Sequence, residues 1–194
     1  MEITTETIKA LRDETGVSVM QCKRALEEAA GDVEKAKVIL RKISATIAGK
    51  KADRSLGAGI AAAYTHAGGS VVGAVVLACE TDFVSKNEEF SKLAYGIAMH
   101  VAAMNPQFLS RESVKEADIK AAREVFTEEV KKVPEAARAK ALEGKIESYL
   151  SERVLLNQPF VKDPALTVRQ LIDSAIQKFG ENIELTRFER LSVR

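Results

Sequence analysis

Apolar residues in the first fifty positions recur at the three- and four-residue steps of helices, and polar residues punctuate them. Thr4 stands where an N-cap belongs, with Ile3 and Ile8 at the spacing of a hydrophobic staple. Gly16 is placed to end that first helix. Ser18 and Gln21 have capping-box spacing for a short second helix carrying Met20, Cys22 and Leu26, and Gly31 supplies a left-handed stop. Asp32 caps a third helix whose inner face reads Val33, Ala36, Leu40, Ile43 and Ile47. Three helices in about 45 residues lie near the lower size limit for independent folding. The polar stretch Lys50-Lys51-Ala52-Asp53-Arg54 reads as a helix tail or linker, so a boundary is expected between residues 1–54 and 55–194.

From Gly57 the texture changes to small and β-branched residues. Ala58 to His66 and Ser70 to Glu80 read as two strands around Ala67-Gly68-Gly69, a hairpin candidate. Val71 to Cys79 is apolar at both alternating faces, which predicts a strand in a sheet covered on both sides. Ser85 and Glu88 then have capping-box spacing, and Phe90, Leu93, Ile97, Val101 and Met104 form a helical stripe. Between strand and helix lies Thr81-Asp82-Phe83-Val84. Phe83 belongs to neither pattern: it plugs the core locally, or it is displayed as an aromatic anchor for a partner.

Ser113 and Glu116 repeat the capping-box spacing at the head of a charged helical run, and a second helix returns after Pro134 with Leu142, Ile146, Tyr149 and Leu150 as a narrow seam. Residues 113–154 therefore predict an antiparallel helical hairpin, packed down or projecting. Pro164 breaks the extended piece Gln158 to Lys162. Thr167 and Gln170 open a helix with Val168, Leu171, Ile172, Ile176 and Phe179, which Gly180 closes. Ile183, Leu185, Phe188, Leu191 and Val193 predict a last strand, and the slip in alternation between Leu185 and Phe188 predicts a bulge. The fold class is α+β: a three-helix bundle, then a small antiparallel sheet packed with helices and a helical hairpin.

Composition narrows the chemistry. The 194 residues are 46% hydrophobic and 29% charged, ordinary for a folded protein, and 29 Lys and Arg balance 28 Asp and Glu. That balance gives no strong field for nucleic acid or an anionic membrane. Met1 to Thr5 lack the regions of a secretory signal, and no apolar run approaches the roughly 20 residues of a membrane helix, so a cytoplasmic protein is expected. Cys22 and Cys79 fall in a helix and a buried strand and read as core; with only His66 and His100, no metal site and no cofactor are expected. His66 reads as an exposed turn residue and His100 as half-buried beside the apolar stripe. A nucleophilic pair of Cys79 with either histidine lacks an orienting third group. No phosphate loop, dinucleotide fingerprint or hydrolase acid pair is present, which points to a protein that acts on another protein rather than to an enzyme.

Three ordered blocks carry a family resemblance. Cys79-Glu80-Thr81-Asp82-Phe83-Val84-Ser85-Lys86-Asn87 resembles the TDFV signature of the elongation factor Ts family. Leu11 to Leu26 resembles its opening block, and Gln158-Pro159-Phe160-Val161 with Thr167-Val168 its late block. The first three helices resemble a ubiquitin-associated-type bundle. The resemblance implies a nucleotide exchange factor that binds elongation factor Tu, GDP-bound and nucleotide-free, and expels GDP. It makes Phe83 a wedge and Asp82 its polar companion near the Mg²⁺ and nucleotide site, with Thr81 and Val84 shaping the turn. Leu11, Val19 and Met20 match positions that meet a helix of the GTPase domain, Val19 standing where some members have methionine and Leu11 reading equally as core, and the family-like Met99-His100-Val101-Ala102-Ala103 stretch offers His100 a contact surface as the alternative to a structural role. Longer members carry two related sheet subdomains where this chain has one, so the resemblance also implies a homodimer. The rival reading is a ubiquitin-associated-type adaptor without exchange activity.

Overall fold

The structure, a computed structural model, describes residues 3–193. Three helices open the chain: α1 (Thr5–Thr15), α2 (Val19–Glu28) and α3 (Val33–Lys51). Thr4 accepts from the Thr7 amide, Ser18 from Gln21 and Asp32 from Lys35, each satisfying an amide that the helix leaves orphaned. Gly16 ends α1 at φ 68°, a left-handed conformation that glycine adopts without steric cost. α2 stops at Glu28, and both Ala30 and Gly31 take positive φ before Asp32 begins the next helix. Leu11, Cys22, Leu26, Ala36 and Leu40 fill a core of their own, with Ile3 and Ile8 packed against it.

α3 serves two bodies. Its first half closes this bundle, whereas Ile47 and Ala48 pack on the main core. The Ser44 hydroxyl donates to the Gln177 side-chain oxygen, and Lys51 Nζ donates to the Gly180 carbonyl at 2.6 Å. The stretch Lys50 to Arg54 is thus a helix tail that runs straight into tertiary contacts.

The main core is a three-stranded antiparallel sheet in the order β1 (Ala58–His66), β2 (Val71–Cys79), β5 (Ile183–Ser192). α4 (Asp82–Ser85) and α5 (Glu88–Met104) follow β2; α8 (Val168–Phe179) precedes β5. Val75, Leu77 and Cys79 meet Phe90, Ile97, Val101, Ile172 and Ile176 in one cluster. The expected bulge is present: the register slips between Val76 and Leu77, whose partners are Arg187 and Leu185, so Thr186 is the extra residue. Thr167 and Gln170 form a full capping box on α8, and Gly180 closes it at φ 75°.

Several local expectations are corrected. The sheet is covered on one face only. Val72, Ala74 and Val76 alternate onto the other, where Val76 is exposed. Leu191 and Val193 are also exposed, because the strand runs on past the core. Asn87, not Ser85, caps α5: its side chain accepts from the Glu89 amide, while Ser85 donates to the Asp82 carbonyl. Met104, at the end of the stripe, is exposed. Ser113 closes a tight turn with Ser110 instead of capping, and Lys115 stands at the start of α6 (Glu116–Glu129). Pro164 lies inside a strand, β4 (Asp163–Thr167), paired with β3 (Pro159–Phe160); a two-stranded ribbon leaves edge positions that need no amide.

α6 and α7 (Glu135–Arg153) form the hairpin. Ile146, Leu150, Val154 and Val114 make its seam with Phe126 and Tyr149, whose rings meet edge to face at 5.7 Å. Among the described residues no helix is long and apolar enough to cross a membrane.

Gly73 sets how closely α5 lies on β2. A Cβ there would overlap the Ala98 carbonyl oxygen and come within 2.7 Å of the Ala102 amide nitrogen, both backbone. Gly73→Ala is expected to lower stability by about 1–3 kcal/mol, as overpacking does. Denaturant unfolding checks it, and an unchanged midpoint would contradict the close approach.

Candidate functional site

β2 ends at Cys79, and the next two residues, Glu80 and Thr81, turn the chain onto α4. Phe83 sits on that short helix with its ring 84% exposed, whereas its neighbour Val84 is 2% exposed and belongs to the main core. Of the two readings open for Phe83, the structure takes display. Val84 roots the turn, and the helical step of about 100° between neighbours sends the ring outward.

The turn is pinned from the far end of the fold. Thr81 is extended, its N–H donating to Glu181 Oε2 at 3.0 Å and its hydroxyl to Glu181 Oε1 at 2.5 Å. Hydrogen bonds to an ionised acceptor are the stronger kind. Glu80 Oε1 accepts from the Asn182 amide at 2.6 Å and from Arg54 at 3.3 Å. Those two donors hold the Glu80 carboxyl below its ordinary range, the Asn182 amide contributing most. The Asn182 side chain in turn donates to the carbonyls of Ala52 and Arg54 and to Glu184. Asp82 is exposed, and its 3.1 Å contact with Lys86 is a solvent-screened pair one helical turn apart.

A second surface lies on α2, where Val19 and Met20 occupy the first turn and Met20 is 67% exposed. α8 ties it to the first. Lys178 reaches Glu89 at 2.7 Å, near the start of α5, while its side chain lies against Gly16, where a Cβ would sit 3.2 Å from its Cδ and Nζ.

Two expected contact residues are interior. Leu11 is in the bundle core, on the inner face of α1. His100, expected half-buried, is fully enclosed: Val161 N donates to its Nδ1 at 3.1 Å, so the proton is on Nε2, which donates to Gln158 Oε1 at 2.9 Å. Gln158 passes the chain of bonds to the Glu152 carbonyl at 2.6 Å. As folded, neither side chain presents a surface; His100 latches the Gln158-Pro159-Phe160-Val161 segment to α5.

The arrangement offers little covalent chemistry. Both cysteines are free and buried, and burial raises each thiol's pKa, which keeps it from the thiolate form. Among the described residues no group of three or more His, Cys, Asp or Glu could hold a metal ion. What the turn presents is one apolar ring with a carboxylate beside it on a rigid mount.

The sequence model of one family, described as Elongation factor TS, matches residues 30–192. The chain belongs to the elongation factor Ts family. A protein of Thermotoga neapolitana named Elongation factor Ts is 43% identical over 193 residues, covering 100% of this chain and 98% of that one. Namesakes from Herpetosiphon aurantiacus, at 42% with 100% and 98% covered, and Thermosipho melanesiensis, at 44% with 98% of each, are similar. The three resemblance blocks, including Thr81 to Val84, fall within those alignments, and a translation elongation role comes with membership of the elongation factor Ts family. Glu80 stood in the resembling block without a role of its own, and sequence reasoning missed Glu181, Asn182 and Lys178, which help position the turn. Their only signal was polarity directly around Gly180, which reads equally as a solvated helix end.

His100 gives a pH signature. Burial lowers its pKa from the ordinary 6.5, the bond to Gln158 opposing in part. The unfolded chain therefore binds the proton first: stability is full above about pH 6.5 and falls as pH drops through the window below it. Unfolding midpoints of the native chain and His100→Asn between pH 7.5 and 5.5 are expected to converge as pH falls, and parallel lines would contradict a buried neutral imidazole.

Proposed function

We propose that the chain is a guanine nucleotide exchange factor that binds GDP-bound elongation factor Tu and promotes GDP release by disturbing the Mg²⁺ and nucleotide site. The observation that carries this reading is the 84% exposure of Phe83 on a turn whose neighbours are buried or bonded. An exposed ring costs the free protein hydration free energy, and holding it rigid in advance reduces the entropy lost on contact. GTPases hold nucleotide through phosphate-loop amides and bridging Mg²⁺, so a wedge beside that metal site removes a large electrostatic contribution. The factor must bind the nucleotide-free state more tightly than the GDP state, and by reciprocity GDP then weakens its hold on the factor. No bond in the factor is made or broken.

In this reading Phe83 is the wedge, Asp82 the polar companion, Thr81 and Val84 the parts that aim it, and Val19 and Met20 a second contact. Leu11 and His100 act as positioning residues behind those surfaces. The bundle is proposed to be of the ubiquitin-associated type, and the division at residue 54 is kept with α3 shared between the two parts. The proposed compartment is the cytoplasm, where translation proceeds.

Phe83→Ala is expected to slow stimulated release of labelled GDP from elongation factor Tu at least about tenfold, the equivalent of 1.4 kcal/mol, with Asp82→Ala causing a smaller loss. Thermal unfolding of Phe83→Ala should stay within about 0.5 kcal/mol of the native chain, because the ring buries so little. Normal exchange, or a collapsed fold, would refute the wedge.

We also propose a homodimer formed through the open sheet face, which Ala61, Ala63, Ala74 and Val76 line with small and apolar side chains. Symmetric pairing would cover that face and supply the second sheet subdomain that a single chain lacks. Sedimentation at micromolar concentration should give about twice the 21.1 kDa chain mass, and Val76→Glu should halve it. A single species at the chain mass for the unmutated protein would exclude the dimer.

A further inference from the structure

Behind the Phe83 turn, α3, α8 and β5 enclose a cleft of about 410 Å³. Its walls are polar and apolar in about equal measure: Ala48, Leu156, Ile172 and Leu185 give an apolar side, and Asp173 lines it at 7% exposure. Asp173 has no hydrogen bond and no ion pair among the described residues. A carboxylate in that position has lost most of its water and has only the longer-range attraction of Arg169 in return, a costly state for a charge. Burial raises its pKa, and Arg169, one helical turn earlier, pulls it only partly back. Arg169 does not close on it. That guanidinium is exposed and acts on Glu112 as well.

The charges on the walls point to what is missing. Two acidic residues, Asp173 and Glu184, face one basic residue, Arg169, so by residue type the cleft lining has one acid in excess. Glu184 already accepts from the Asn182 side chain at 3.2 Å. Asp173 is left without a hydrogen bond or a close ion pair among the described residues. A cleft with one apolar side and a buried carboxylate in its wall suits an aliphatic stem that ends in a cation, because the stem replaces water on the alanine, leucine and isoleucine surfaces while the cation restores the lost electrostatic free energy.

We propose that this cleft is a binding site for a primary ammonium group on an aliphatic stem, carried either by a free aliphatic diamine or by a lysine side chain of a protein partner. Occupancy would be felt at the Phe83 turn. Asn182 forms part of the cleft wall, and its backbone amide holds Glu80, the residue before Thr81.

Titration calorimetry of the full chain with n-butylammonium and with 1,4-diaminobutane tests the site. Saturable binding is expected, weakened at least tenfold by Asp173→Asn and unchanged by Glu143→Gln on the distant hairpin. Gly49→Leu provides a second variant that leaves the charge alone: Gly49 lines the cleft, and a Cβ there meets nothing within 4 Å, so the longer side chain can enter the space and should displace the ligand. Tighter binding of the diamine than of butylammonium assigns the site to free diamines. Equal binding assigns it to a single ammonium such as a lysine side chain. No saturable binding of either amine, or unchanged binding in both Asp173→Asn and Gly49→Leu, overturns the proposal.

Discussion

The three residues Gly180, Glu181 and Asn182, between α8 and β5, hold the functional end of the molecule together. Gly180 offers its carbonyl to Lys51 at the end of α3; Glu181 grips Thr81 through both its amide and its hydroxyl; Asn182 joins Glu80 to the chain at Ala52 and Arg54. Two segments far from it in sequence, Lys51 to Arg54 and Glu80 to Thr81, are thereby fixed to one turn. Left-handed glycine makes the turn possible, since it ends α8 and sends the next two residues back across the sheet edge. Without those bonds, Thr81 to Val84 would be a surface loop with one buried valine, and the ring of Phe83 would be free to fold back.

In the proposed reading, this constraint is what lets a molecule whose two cysteines are buried act on a partner by binding alone. The energy for a wedge comes from binding, and it is effective only if the wedge does not yield. Rigidity here is built from charge-assisted bonds to Glu181 and Glu80 and from Val84 in the core. α8 extends the same mount to the N-terminal bundle through Lys178, which touches Gly16 and Glu89. Phe83 on α4 and Met20 on α2, both exposed and apolar, are thus linked through one helix and its terminal turn.

Much of this was legible in the amino-acid order. Local rules wrote the helix ends at Thr4, Gly16, Asp32, Thr167 and Gly180, because capping acts over three or four residues. The bulge at Thr186 showed as a slip in alternation. Competing caps misled: Asn87 and Ser85 both suit a helix start, and only the α4 turn, which takes Ser85 into its own hydrogen bonding, decides between them. The open sheet face was hidden for another reason. A strand apolar on both sides looks the same whether its second cover is part of the same chain or absent from it. The displayed state of Phe83 could be left open but not decided, since the bonds that aim it join residues about one hundred positions apart.

In the proposed reading Glu181 touches no partner, yet it makes Phe83 effective. The direct measurement is a double-mutant cycle in stimulated GDP release from elongation factor Tu, using Glu181→Ala, Phe83→Ala and the pair, with unfolding midpoints recorded for each. The account predicts that Glu181→Ala slows release although the ring is still present, and that adding it to Phe83→Ala changes little. Full exchange activity in Glu181→Ala, or losses that simply add, would show that the ring works without its mount.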